Sequence, residues 1–164
     1  MSDQTRLDRR KVLVSAAALA GAGLTPAWAA KPKGKPPMVE TGAGVLLRAK
    51  LDPVARKSVG LITNQTGLVG GRHLVDLLAE AGNVRLAAIF APEHGFRGTA
   101  EAGAKVANDR DPKTGVPIFS LHGDVKAPAG AMLRDTDVLV FDIQDIGARF
   151  YTYISTMGLA MQAA

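Results

Sequence analysis

The chain of 164 residues contains no cysteine. Disulfides, a thiolate nucleophile and cysteine-built metal sites are therefore excluded. No HExxH or comparable ligand spacing is present either. Metal-assisted hydrolysis is left with a loose oxygen and nitrogen set of Glu93, His94, His122 and Asp142. The apolar run at residues 12–24 is too short, and too diluted by Ala and Gly, for a membrane span. The body of the chain also lacks an excess of charge. The formal net charge is +5, yet from Pro36 onward 13 Lys and Arg face 13 Asp and Glu. The basic character belongs to the first 35 residues, which removes the main argument for a nucleic-acid partner. There is no internal repeat.

The basic residues instead mark a leader. Arg9-Arg10-Lys11-Val12-Leu13 is a twin-arginine motif, and Ala27-Trp28-Ala29 supplies an A-x-A cleavage site ahead of Ala30. Residues 1–29 read as a twin-arginine signal peptide. Residues 30–44 read as a linker built on Lys31-Pro32-Lys33-Gly34-Lys35-Pro36-Pro37, whose prolines and charges leave nothing to bury. Residues 45–164 remain for the N-terminal part of a folded domain. The leader implies a bacterial protein exported folded by the twin-arginine machinery. It would be periplasmic or secreted, with no stable membrane anchor after processing.

In the body, short apolar runs at 58–63, 86–90, 116–120 and 137–141 read as buried strands. Pro117 is expected at a strand start or an edge. An amphipathic pattern at 73–81, stopped by Gly82, and a second at 151–164 read as helices. Strands alternating with helices predict an α/β fold, a mostly parallel Rossmann-like sheet with helices on both faces. The last helical pattern reaches Ala164 without a Gly, Asn or Pro stop, so the chain is expected to continue into a C-terminal domain.

In such sheets the ligand crevice lies beyond the carboxyl ends of the strands. The strands here run into Asn64, Gln65 and Thr66; into Glu93 and His94; into Ser120 and His122; and into Asp142, Gln144 and Asp145, followed by Arg149, Tyr151 and Tyr153. Glycoside hydrolysis needs a carboxylic acid for the leaving oxygen and usually a second carboxylate, and Glu93, Asp142 and Asp145 supply candidates. Asp142 follows an uninterrupted apolar run, so it is either partly buried with a raised pKa or a cap of the next turn, a role also open to Asp145. The segment Gly67-Leu68-Val69-Gly70-Gly71, with Glu93 beyond it, imitates a dinucleotide-binding unit, but its glycines run GxxGG rather than GxGxxG. His73, at the start of a helix, and His122, in a turn, read mainly as structural.

Three segments resemble the exo-β-N-acetylmuramidases of the NamZ type. They are Gly60-Leu61-Ile62-Thr63-Asn64-Gln65-Thr66-Gly67, Phe90-Ala91-Pro92-Glu93-His94-Gly95-Phe96-Arg97-Gly98 and Phe141-Asp142-Ile143-Gln144-Asp145-Ile146-Gly147-Ala148-Arg149-Phe150-Tyr151-Thr152-Tyr153. The resemblance runs from about Val45 to the end of the chain. It implies a Rossmann-like catalytic domain of a glycosidase that releases N-acetylmuramic acid (MurNAc) from non-reducing ends of peptidoglycan fragments, in cell-wall turnover. No cofactor and no metal is expected. The motif match makes Glu93 the prime catalytic candidate, with His94 beside it and Asp142 as a further catalytic group. Asn64, Gln65, Arg97, Gln144, Asp145, Arg149 and Tyr151 are the matching substrate-binding candidates, Arg97 or Arg149 for the lactyl carboxylate of MurNAc. The alternatives are a muropeptide-binding module without catalysis, or the metal-assisted hydrolase.

Overall fold

Parallel strands buried on both faces need near-continuous apolar runs, and four such runs build the sheet. A computed structural model describes residues 39–92, 96–97, 109–148 and 150–164. Within the unit Glu40–Ala164, strands β1 (Ser58–Thr63), β4 (Arg85–Ala91), β6 (Pro117–Ser120) and β7 (Val138–Asp142) run parallel. The short β5 (Asp109–Arg110) pairs antiparallel with β6. The strand order is β5-β6-β4-β1-β7. Pro117 opens β6, as its missing N–H requires.

Side chains alternate across the sheet with period two. Val59, Leu61, Ile89 and Ala91 pack on one face, against Ala43 of α1 (Gly42–Arg48) and Leu74, Val75 and Leu78 of α2 (Leu74–Glu80). Ile62, Ala88 and Phe90 pack on the other, with Leu121, Met132 and Leu133 of α3 (Gly130–Leu133) and Ala160 of α4 (Tyr153–Ala163). The helices thus cover both faces, as the alternating pattern predicts. Fully buried Leu61 and Leu74 each contribute about 1.5–3 kcal/mol of transfer free energy.

Several elements depart from the sequence reading. α1 begins at Gly42, ahead of the boundary drawn at Val45, because Thr41 caps it: its Oγ1 accepts from the Gly44 N–H at 3.1 Å. A hairpin, β2 (Leu68–Val69) and β3 (Arg72–His73), precedes α2. Its turn residues Gly70 and Gly71 have φ of 57° and 80°, the positive pair of a two-residue hairpin turn. The GxxGG segment is therefore a hairpin and not a phosphate loop. α2 starts one residue later than expected, with His73 as its cap. β7 extends one residue further than expected, so Asp142 closes the strand. Among the described residues no helix is long and apolar enough to cross a membrane.

Candidate active site

The chain reverses its direction of travel across the sheet at β1: β4 and β6 lie on one side of it, β7 on the other. Ligands in open α/β sheets bind at the carboxyl ends beside such a switch point. Here the last ladder pair is Thr63 with Asp142, and Thr63 Oγ1 donates to the Asp142 carbonyl at 3.0 Å. The next residue, Asn64, is fully buried and shapes a turn. Its Oδ1 accepts from the Thr66 N–H at 3.0 Å and the Thr66 hydroxyl at 2.7 Å, the Asx pattern. Its carbonyl accepts from Gly67 N–H at 3.1 Å and from His73 Nε2 at 2.9 Å. Across the crevice, the Gln144 N–H donates to Thr66 Oγ1 at 3.3 Å. The two lips of the crevice are thereby tied together.

Asp142 sits between these lips. Its Oδ2 is buried and has no hydrogen-bond partner among the described residues. Burial pushes the carboxyl pKa above its ordinary value, and only the charge that His73 would carry if protonated opposes this. The carboxyl lies against the backbone of Gly67: a Cβ there would come within 3.0 Å of Asp142 Oδ2 and 2.4 Å of Thr63 Oγ1. Of the two roles open to Asp142, the structure has the partly buried carboxyl and not the cap. Asp145 does cap its turn, its Oδ1 accepting from the Gly147 N–H.

Beside α2 lies a groove of about 470 Å³ bordered by Gln65, His73, Asp76, Arg97 and Lys113. Arg97 is already engaged there. Its guanidinium donates to both oxygens of Asp111 at 3.0 Å and to Asp76 Oδ1 at 3.1 Å, and it stacks over Phe96 at 4.7 Å. Lys113 Nζ reaches Asp76 Oδ2 at 2.7 Å. Burial alone would raise the Asp76 pKa, but the bonds from Lys113 and Arg97 outweigh it and hold the carboxyl below its usual range. Arg97 is thus tied to α2 through Asp76 and to the loop before β6 through Asp111.

Asn64 and Asp142 come together at the switch point, with the exposed Gln65 and Gln144 on its two lips. Tyr151 is exposed at the approach to α4, its ring 6.1 Å from that of the buried Tyr153. Glu93, His94 and Arg149 lie outside the described residues; Glu93 follows Pro92, just past β4, in the sequence. His122 borders a separate groove of about 440 Å³ with Lys126 and Ser155. Among the described residues no group of three or more His, Asp or Glu is arranged to hold a metal ion. His73 is structural, as the sequence reading has it, and both of its ring nitrogens are used, in capping α2 and in holding the Asn64 carbonyl. Only its place at the start of a helix signalled this.

A Rossmann-like sheet with a half-buried carboxyl at its switch point belongs to the α/β domains that bind ligands at strand ends. More narrowly, the chain belongs to the family described as exo-beta-N-acetylmuramidase NamZ, N-terminal, whose model matches residues 59–164. It is 49% identical over 131 residues to the peptidoglycan beta-N-acetylmuramidase NamZ of Bacillus subtilis (strain 168), covering 79% of this chain and 32% of that protein. Among solved structures it is similar to two DUF1343 family proteins of Bacteroides fragilis. BF0371 is 48% identical with a TM-score of 0.69, over 76% of this chain and 31% of that one. BF0379 is 42% identical with a TM-score of 0.60, over 74% and 30%. The chain therefore spans about a third of the length of these relatives.

Proposed function

We propose that the protein is a glycosidase that releases MurNAc from the non-reducing ends of peptidoglycan fragments. Asp142 carries this reading: a half-buried carboxyl at the switch point whose Oδ2 has no hydrogen-bond partner among the described residues, in a chain 49% identical to a peptidoglycan muramidase. In the reaction Glu93 gives its proton to the glycosidic oxygen as the C–O bond at the anomeric carbon breaks. Water adds at that carbon and yields its proton to a carboxylate. Asp142 suits the second role, since a burial-raised proton affinity makes its ionised form a stronger base than a free carboxylate. His94 neighbours the acid. Gln65, Gln144, Asp145 and Tyr151 offer polar contacts to the sugar. With Arg97 held by two carboxylates, Arg149 is the better partner for the lactyl carboxylate of MurNAc. The leader supports export by the twin-arginine machinery to the periplasm or beyond, where peptidoglycan fragments arise.

The test is incubation of the protein with an aryl β-MurNAc glycoside. Release of the chromophore from this glycoside, and not from its N-acetylglucosamine counterpart, is expected. Binding of MurNAc without release would instead mark a muropeptide-binding module. Release that a chelator abolishes would favour the metal-assisted hydrolase.

A further inference from the structure

We propose that His73 is a positioning residue for this reaction, pinning the Asn64 turn, and through Thr66 the Gln144 lip, in the geometry that presents Asp142. The inference rests on the reading of the switch crevice as the muramidase site. The imidazole is buried, and each of its nitrogens has one task. Nδ1 accepts the Val75 N–H at 3.2 Å and caps α2. The proton is therefore on Nε2, which donates to the Asn64 carbonyl at 2.9 Å. The edge-on ring of Phe96, with centroids 5.6 Å apart, holds the imidazole plane.

A chain of contacts leads from that ring to the opposite lip. Asn64 Oδ1 holds the Thr66 N–H and hydroxyl, and Thr66 Oγ1 holds the Gln144 N–H, two residues past Asp142. Losing the Nε2 bond removes the shortest of three bonds to the Asn64 carbonyl, which keeps the Thr63 hydroxyl and the Gly67 N–H, the latter on the backbone against which the Asp142 carboxyl lies. His73 itself acts only through these groups. In a site that depends on near-attack geometry, a misplacement of about 1 Å costs up to about a hundredfold in rate.

The two nitrogens can be separated by substitution. His73→Asn places an acceptor where Nδ1 stands and removes the Nε2 donor. His73→Gln keeps a donor where Nε2 stands and removes the cap. The expected result is a crossed one. His73→Asn retains the melting temperature but loses roughly tenfold to a hundredfold in kcat on a MurNAc glycoside, with little change in KM. His73→Gln, the conservative variant for the donor, melts lower yet recovers most of kcat when assayed well below its transition. Amide exchange at Thr66 and Gln144 reads the same connection without activity: it accelerates in His73→Asn and not in His73→Gln. Two results overturn the proposal: kcat and exchange unchanged in His73→Asn, or kcat falling in step with melting temperature in both variants. If the unmodified protein releases no MurNAc, the muramidase reading fails, while the exchange experiment still decides whether His73 pins the turn.

Discussion

Asp142 and Asp76 are both carboxylates in confined surroundings, yet folding moves their proton affinities in opposite directions. Asp76 meets Arg97 and Lys113, so its native pKa is lowered. Its contribution to stability is present above the unfolded value and is lost as pH falls through the native one. The Oδ2 of Asp142 meets no hydrogen-bond partner among the described residues, and burial raises its native pKa from 3.8. It favours the fold below that unfolded value, and this advantage is lost as pH rises through the raised native value. Asp142→Asn should therefore melt higher than the native chain at pH 7, the difference closing as pH falls from the raised native value toward 3.8, while MurNAc release falls. Equal melting temperatures at pH 7 would contradict the buried, unpaired carboxyl. Arg97→Ala takes the ion-pair partner from the fully buried Asp111 and leaves it the Thr114 N–H and hydroxyl, with an expected loss of about 3 kcal/mol in urea unfolding, the low end for a broken buried pair. Arg97→Lys should recover only part, because a point charge cannot reproduce the two-oxygen contact; full recovery would contradict that reading. The unusual position of Asp142 is legible in the sequence from the apolar run before it. The partners of Arg97 are not, because they lie 21 and 14 residues away with no period to reveal them.

At the scale of elements, the parallel strands are legible because burial on both faces leaves an unbroken apolar run. Strands of two residues, such as β2, β3 and β5, carry no period to read. α1 hides beside a Pro- and Lys-rich stretch, and the four-residue α3 is too short to show an apolar stripe. The Gly70-Gly71 pair shows how one composition serves two structures: glycines that suit a phosphate loop equally suit a hairpin turn, and spacing alone has to separate them. Gly67, in the turn after β1, is fixed by space. Gly67→Ala drives a Cβ to 2.4 Å from the buried Thr63 Oγ1 and 3.0 Å from Asp142 Oδ2. The expected cost is about 1–3 kcal/mol in chemical denaturation, with a drop in MurNAc release as Asp142 is displaced. Native stability in that variant would mean the turn relaxes freely.

For the whole molecule, the charge distribution and the reading of function meet in the proposed leader. The folded body is neutral overall, and the excess positive charge lies ahead of it. Intact mass of periplasmic protein should correspond to a start at or next to Ala30, and replacing Arg9 and Arg10 together by Lys should stop export. A periplasmic product retaining Met1 would contradict the leader. The central proposal concerns the crevice at the β1–β7 switch, where Asp142 sits between the Asn64 turn and the Gln144 lip. Its most direct test is mass-spectrometric detection of free MurNAc from a MurNAc-terminated peptidoglycan disaccharide, comparing the native protein with Glu93→Gln. The expected result is release by the native protein and a loss of about 10²–10⁴-fold in rate for the variant, with unchanged circular dichroism. No release by the native protein, or near-native turnover by Glu93→Gln, would contradict it.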